Sequence, residues 1–327
     1  MSDDNPILVT GAAGFVGFHV ALNLLRKGYQ VVGIDNLNIY YDPKLKTDRL
    51  QQLKNFDKFI FDKIDISNKA EMEKLWSEKG PFKKVIHLAA QAGVRYSLIN
   101  PYEYISSNCM GHLTILEMCR HTEGFEHLVY ASSSSVYGHN QKLPYAVEDP
   151  VNQPVSLYAA TKRSDELMSA SYAHLYNLPQ TGLRFFTVYG PWGRPDMAPF
   201  IFTKSIIEGS PVKVFNHGKM KRDFTYIDDI VSGVVATLDH PPGKESAHRL
   251  LNIGNNKSEN LLDFIAVLEN AIGKKAQLEM MDMQPGDVKE TFADIDETTR
   301  ITGYQPTTSI EAGLPKFVEW YKAYYKA

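Results

Sequence analysis

Along the first 190 residues, short apolar runs alternate with amphipathic stretches. Ile7–Thr10 is apolar and leads into a glycine turn, Gly11-Ala12-Ala13-Gly14-Phe15-Val16-Gly17. An amphipathic stretch follows from His19 to Lys27, then Gly28, then a second apolar run over Gln30–Asp35. The order is strand, glycine turn, helix, strand. The same rhythm predicts strands over Phe59–Asp65, Lys84–Leu88, His127–Ser132 and Gln180–Phe186. Between them it predicts helices over Ala70–Lys79, Tyr102–Arg120 and Tyr158–Tyr176. Such alternation implies an α/β fold, a Rossmann-like doubly wound parallel sheet with both faces covered.

After Tyr189 the rhythm breaks. Gly190–Pro199 is rich in Pro and Gly and reads as a loop. Beyond it, helices over Phe200–Glu208, Asp228–Leu238 and Leu261–Ala271 mix with short strands. Residues 1–189 are therefore expected to form the sheet domain, with return segments near 222–256. Asp223–Asp229 and Leu250–Gly254 are the stretches expected to rejoin the main sheet. Residues 190–221 and 257–327 are expected to form a smaller mixed α/β substrate domain. No internal repeat or low-complexity segment is visible.

Composition narrows the function class. The chain has 327 residues, 43% of them apolar, enough for a sizeable core. A net charge of −3 gives no sign of a nucleic-acid or membrane-surface partner. Cys109 and Cys119 lie ten apart on one predicted helix, too far for a disulfide, and read as reduced packing residues. The acidic start, Met1–Pro6, lacks a signal-peptide pattern, and no apolar run approaches the roughly 20 residues that span a bilayer. A soluble, cytoplasmic protein is the expectation.

Gly11, Gly14 and Gly17 let a backbone approach a pyrophosphate at the N-terminus of a helix, where unpaired N–H groups and the helix dipole favour an anion. A tight turn with close helix packing would use the same glycines. Asp35, ending the second strand, stands where a carboxylate accepts both ribose hydroxyls of adenosine and repels a 2′-phosphate, which favours NAD over NADP. Asp65, closing the third strand, is a weaker candidate for the adenine edge.

Tyr158 and Lys162 are four apart and share a helix face. An ammonium beside a phenol stabilises the phenolate and makes a base usable near neutral pH. The hydroxyl cluster Ser132-Ser133-Ser134-Ser135 ends the preceding predicted strand, at the edge where doubly wound sheets bind ligands. Those serines also suit a polar turn.

Taken together, Gly11…Gly14…Gly17, His87-Leu88-Ala89-Ala90, Ser132–Gly138 and Tyr158…Lys162 resemble the extended short-chain dehydrogenase/reductase family, over roughly Ile7 to Asp294. Several segments are similar to its UDP-glucuronate 4-epimerase branch. They include Asp35–Asn38 with Tyr40–Pro43, His87–Tyr96, Ser156–Lys162, Gly182–Met197 (GLRFFTVYGPWGRPDM), Arg222–Asp229 and Gln284-Pro285-Gly286-Asp287. The resemblance implies bound NAD and C4 epimerisation of a UDP-hexuronic acid through a transient 4-keto sugar. It makes residues 1–189 an NAD-binding domain and the smaller domain a UDP-sugar-binding one. It implies that Ser133 orients the sugar hydroxyl, Tyr158 accepts and returns its proton, and Lys162 anchors the nicotinamide ribose. Asn108 would act through water near the site, Arg222 would pair with the diphosphate and Arg194 would line the nucleotide end. Ser134 and Ser135, with Arg95 behind them, are candidates for gripping the substrate carboxylate. It also implies a C2 homodimer through the two long helices.

Thr187 and Gln284 replace the asparagine and arginine of the neutral-hexose branch, which fits the uronate branch. Ser135 replaces the glutamate of related decarboxylases. A neutral UDP-hexose epimerase and a non-catalytic NAD-binding module remain as alternatives. No metal site is expected: the ten histidines form no HExxH pattern. Neither GxxxxGK[ST] nor GxSxG occurs. His87 reads as the end of a core strand, and Tyr40-Tyr41 as a packed loop.

Overall fold

The computed structural model describes residues 5–243, 246–284 and 287–327. The strands Ile7–Thr10 (β1), Val31–Asp35 (β2), Phe59–Lys63 (β3), Lys84–His87 (β4), His127–Ser133 (β5) and Gln180–Phe185 (β6) are joined by His248–Ile253 in one seven-stranded sheet. All its pairings are parallel, in the order His248–Ile253, β6, β5, β4, β1, β2, β3. Every residue of β1 and β2 is buried, which is why these strands read as continuous apolar runs and not as alternating ones. Strand order reverses between β1 and β4, and the crevice at such a switch point is where doubly wound sheets bind ligands.

The first helix, Phe15–Arg26, starts earlier than its amphipathic period indicates, because Gly14 is already its N-cap. Gly11 has φ +71°, and a Cβ on Gly17 would stand 2.0 Å from the Gly11 carbonyl oxygen. The turn therefore requires glycine at both places. Ser156 caps the helix Leu157–Tyr176 by accepting from Ala159 N at 3.1 Å, which sets Tyr158 in the first turn.

Three departures from the sequence reading matter for the site. A helix at Pro43–Leu53 was not anticipated; Asp42 caps it through Lys44 N and proline takes its first position. The expected single helix Tyr102–Arg120 is α over Pro101–Tyr104, π over Ile105–Met110 and α over Gly111–Arg120. Of the two expected return segments, His248–Ile253 pairs with β6, but Phe224–Tyr226 pairs instead with Thr187–Tyr189 in a separate two-stranded parallel sheet.

Beyond the sheet, the crevice is lined by helix Ala198–Glu208, strand Pro211–Val214 and Leu261 at the start of helix Leu261–Ile272. Strand Gln277–Met280 pairs in parallel with Pro211–Val214, and helix Ile310–Tyr325 packs on Leu261–Ile272. Trp192 packs on Trp320 and Tyr324 with ring centroids 5.5 and 5.2 Å apart, holding the loop after Tyr189 against the C-terminal helix.

Candidate active site

One cleft of about 990 Å³ runs along the C-terminal ends of the strands. Gly11, Gly14, Gly17 and Asp35 line it, and so do Ser133, Ser134, Ser135, Tyr158, Lys162, Thr187, Arg194, Arg95 and Arg222.

The glycine turn fits a dinucleotide: Gly11, Gly14 and Gly17 line the cleft, backbone packs so closely on the turn that no Cβ could be added at any of the three, and the helix begins immediately behind it. Asp35 Oδ2 accepts from Ala13 N at 3.2 Å and Oδ1 from Leu37 N at 2.8 Å, so its carboxylate is fixed at the strand end. Lys46, which the sequence reading missed, lies 4.0 Å from Asp35 and donates to Asn38 Oδ1 at 2.6 Å. Burial holds its ammonium below the usual lysine value, against the pull of Asp35. Asp65 stands behind this end of the cleft. Its carboxylate accepts from Asn36 Nδ2 at 2.9 Å and from Ser67 N and Oγ at 2.9 and 2.7 Å, while its neighbours Ile64 and Ile66 line the cleft. Tyr40 and Tyr41 also line the cleft, and Tyr40 donates to Asp196 Oδ2 at 3.0 Å.

Ser133 ends β5, and its hydroxyl accepts from Ser135 N at 3.2 Å, which curls Ser134–Tyr137 into one 3-10 turn and turns the serines to the cleft. Ser132 also lines the cleft, but it is buried and its hydroxyl is committed to Glu166 Oε1 at 2.6 Å. The Tyr158 ring packs edge-on against Tyr104, centroids 6.1 Å apart. Lys162 is buried, with Nζ 2.8 Å from Asp165 Oδ2. Burial alone would lower its pKa, but the charges of Asp165 and Tyr158 leave it above the ordinary lysine value. His87 is a core residue paired with Thr10 Oγ1 at 2.7 Å, and burial holds it neutral, lowered to about 3.

Asn108 is buried and makes three hydrogen bonds within the protein. Its Oδ1 accepts from Gln91 N at 2.8 Å, and its Nδ2 donates to Gln91 O at 3.1 Å and Thr161 Oγ1 at 2.9 Å. The amide is therefore a direct clip between the β4 loop and the Tyr158 helix.

The arginines divide by partner. Arg194 is bidentate to Asp196, at 3.0 and 2.5 Å. Arg95 is half exposed, 3.3 Å from Asp287 Oδ2 and 4.9 Å above the Phe215 ring. Arg222 donates to the carbonyls of Lys221 and Lys289 at 2.8 and 3.2 Å and forms no salt bridge among the described residues. Burial lowers its pKa, with Asp287 acting the other way. A guanidinium without a carboxylate partner, facing a cleft, suits an anionic ligand. Pro285 and Gly286 of the Gln284–Asp287 segment lie outside the described residues. Among the described residues no group of His, Cys, Asp or Glu could hold a metal ion, and no helix is long and apolar enough to cross a membrane.

Comparison with known proteins fits this geometry. The chain is 48% identical to protein CapI of Staphylococcus aureus, over 98% of this chain and 99% of that protein. It is 47% identical to UDP-glucuronate 4-epimerase 3 of Arabidopsis thaliana, over 98% of this chain and 77% of that one. Its structure is similar to that of UDP-glucuronic acid 4-epimerase from Bacillus cereus in complex with UDP-glucuronic acid and NAD, with a TM-score of 0.91 and 37% identity, covering 98% of this chain and 100% of that one. Residues 7–254 match the NAD dependent epimerase/dehydratase family, and the chain belongs to it.

Proposed function

We propose that this chain is an NAD-dependent UDP-glucuronate 4-epimerase, inverting C4 of the hexuronic acid to give UDP-galacturonate. The observation that carries the reading is the single cleft shared by the glycine turn, the Ser133–Ser135 turn, the Tyr158–Lys162 pair and Arg222. The relatives named as UDP-glucuronate 4-epimerases support the substrate.

When bound, NAD supplies the hydride acceptor that converts the C4 alcohol to a ketone and then reduces it again. Tyr158 takes the C4 hydroxyl proton and returns it after the sugar has turned its other face. Lys162 holds the nicotinamide ribose and stabilises the phenolate. Ser133 orients the C4 oxygen. Gly11, Gly14 and Gly17 seat the pyrophosphate, Asp35 takes the adenosine ribose and excludes a 2′-phosphate, and Asp65 supports that end through Asn36. Arg222 receives the UDP diphosphate, and Arg194 lines the same cleft at the nucleotide end.

A C4 ketone beside a C5 carboxylate is a β-keto acid. It loses carbon dioxide when the breaking C–C bond aligns with the carbonyl π-system. Ser134, Ser135 and Thr187 are assigned to hold the carboxylate near the ketone plane, where that alignment fails. Arg95, occupied by Asp287 and Phe215, has the smaller claim on it.

The reading takes residues 1–189, with returns near 222–256, as the NAD-binding domain, and 190–221 with 257–327 as the UDP-sugar-binding domain. It also includes a C2 homodimer. Tyr102, Ile105, Leu167, Leu175 and Tyr176 are exposed apolar residues on two helical segments that pack together. Cys109 and Cys119 are free thiols, as suits a cytoplasmic enzyme.

Tyr158→Phe tests the chemistry. Turnover should fall by at least about a hundredfold with NAD still bound, the scale of a general acid–base group. Near-normal turnover would remove Tyr158 from its role.

A further inference from the structure

Lys162 has a partner that the proposed reaction does not use. Its Nζ lies 2.8 Å from Asp165 Oδ2, and the two side chains are only 4% and 1% exposed. Three positions apart, they share one helix face. Lys162 lines the cleft, whereas Asp165 stands behind it. The second carboxylate oxygen, Oδ1, is buried without a hydrogen-bond partner.

The groups facing Asp165 come from three elements. Lys162 and Glu166 are on its own helix, Cys109 and His112 are on the π-interrupted helix, and Tyr130 is on β5. Glu166 is committed to Arg184 at 2.8 Å, and His112 to Ser169 at 2.8 Å. Burial holds His112 neutral and keeps Cys109 and Tyr130 protonated. Lys162 is thus the cation in direct contact with Asp165.

We propose that Asp165 is a positioning residue that keeps Lys162 charged, and aimed at the cleft, while that lysine is shut away from water. The inference rests on the reading of Lys162 as the partner of Tyr158 and of the nicotinamide ribose. A buried ammonium with no counter-charge loses its proton readily, and a neutral amine no longer stabilises a phenolate. Asp165 supplies the counter-charge from behind, leaving the cleft side of Lys162 to the ligands. Burial pushes the Asp165 carboxyl up to about 6 despite the neighbouring lysine. The same 2.8 Å contact decides the matter for Lys162, which ends above the ordinary lysine value.

The test compares wild type, Asp165→Asn and Asp165→Glu as purified holoenzymes. Two quantities are followed between about pH 6 and pH 10: kcat and KM on UDP-glucuronate, and the fraction of NAD retained through buffer exchange. For Asp165→Asn, kcat should stay within about threefold of wild type at the acid end and fall about tenfold or more at the alkaline end, as a drop of about two units in the pKa of Lys162 implies. KM should hold, NAD retention should fall over the same alkaline range, and Asp165→Glu should recover at least part of the lost limb. Superimposable pH profiles would overturn the proposal. So would an equal loss at every pH, which is what a merely structural role produces. If wild type retains NAD but turns over no UDP-sugar, the epimerase reading fails. The pH dependence of NAD retention in Asp165→Asn then still decides the lysine pairing.

Discussion

Asn108 Nδ2 donates to Thr161 Oγ1 at 2.9 Å, joining the π turn of one helix to the residue immediately before Lys162 on another. The same amide brackets Gln91 N and O at 2.8 and 3.1 Å. One side chain thereby sets the β4 loop, the π turn and the catalytic helix in register. Asn108→Ala leaves buried backbone groups of Gln91 unpaired, which costs about 1–3 kcal/mol each. A lower melting temperature and a kcat reduced by about tenfold, the effect of roughly 1.4 kcal/mol on the barrier, are expected together. Unchanged stability and unchanged kcat would remove the clip from the account.

Glu166 predicts an acid limb of stability. Its carboxylate is fully buried and receives Arg184 Nε and Nη2 at 2.8 and 3.0 Å, Ser132 Oγ at 2.6 Å and Arg163 Nη1 at 2.8 Å. Burial pushes its pKa up, but these partners hold it below its ordinary value of 4.5. A depressed carboxylate contributes stability above its unfolded value and loses it as pH falls through the folded value. Glu166→Gln should therefore cost about 3–5 kcal/mol near neutral pH, because Arg184 is left buried and unpaired. It should also flatten the loss of stability below about pH 4.5, read from melting temperatures across the pH range. A variant as stable as wild type at neutral pH, with the same acid slope, would contradict this.

Asp35→Asn removes the charge assigned to the adenosine ribose and keeps an acceptor oxygen for only one of the Ala13 and Leu37 N–H groups, the amide NH2 facing the other. NAD should bind about tenfold more weakly, as loss of a charge-assisted hydrogen bond implies, and the preference against NADP should narrow. Calorimetry with both cofactors checks it. Equal NAD affinity in the two proteins would take Asp35 out of the site.

The sheet was readable because β1, β2, β4 and β5 are nearly all buried and leave unbroken apolar runs. The turn at Gly11–Gly17 and the pair Tyr158–Lys162 were readable because their spacings are local. The helix Pro43–Leu53 was hidden because two of its buried positions hold Lys46 and Arg49, which breaks the apolar period. Arg49 is buried by bonds to the carbonyls of Ala13 and Trp192 at 2.8 and 2.6 Å, contacts no local pattern reveals. The π turn has no residue signature, so the direct clip at Asn108 was out of reach. The pairing of Phe224–Tyr226 with Thr187–Tyr189 is a long-range choice between two sheets. Asp165 carries no sequence signal of its own; only the packing places it behind Lys162.

Ser135→Ala tests the carboxylate grip. A hydrogen bond to a charged group contributes roughly 1.5–3 kcal/mol, so kcat/KM on UDP-glucuronate should drop about tenfold or more. The freed carboxylate should also raise the ratio of UDP-pentose to epimer. Unchanged rate and unchanged product ratio would move the grip elsewhere, to Ser134 or Thr187.

The measurement that bears most directly on the whole account is product analysis by proton NMR, with wild-type enzyme given UDP-glucuronate and UDP-glucose in parallel. The account predicts UDP-galacturonate as the main product of the first, little UDP-pentose beside it, and much slower conversion of the second. A preference for UDP-glucose, or UDP-pentose as the main product of UDP-glucuronate, would contradict it.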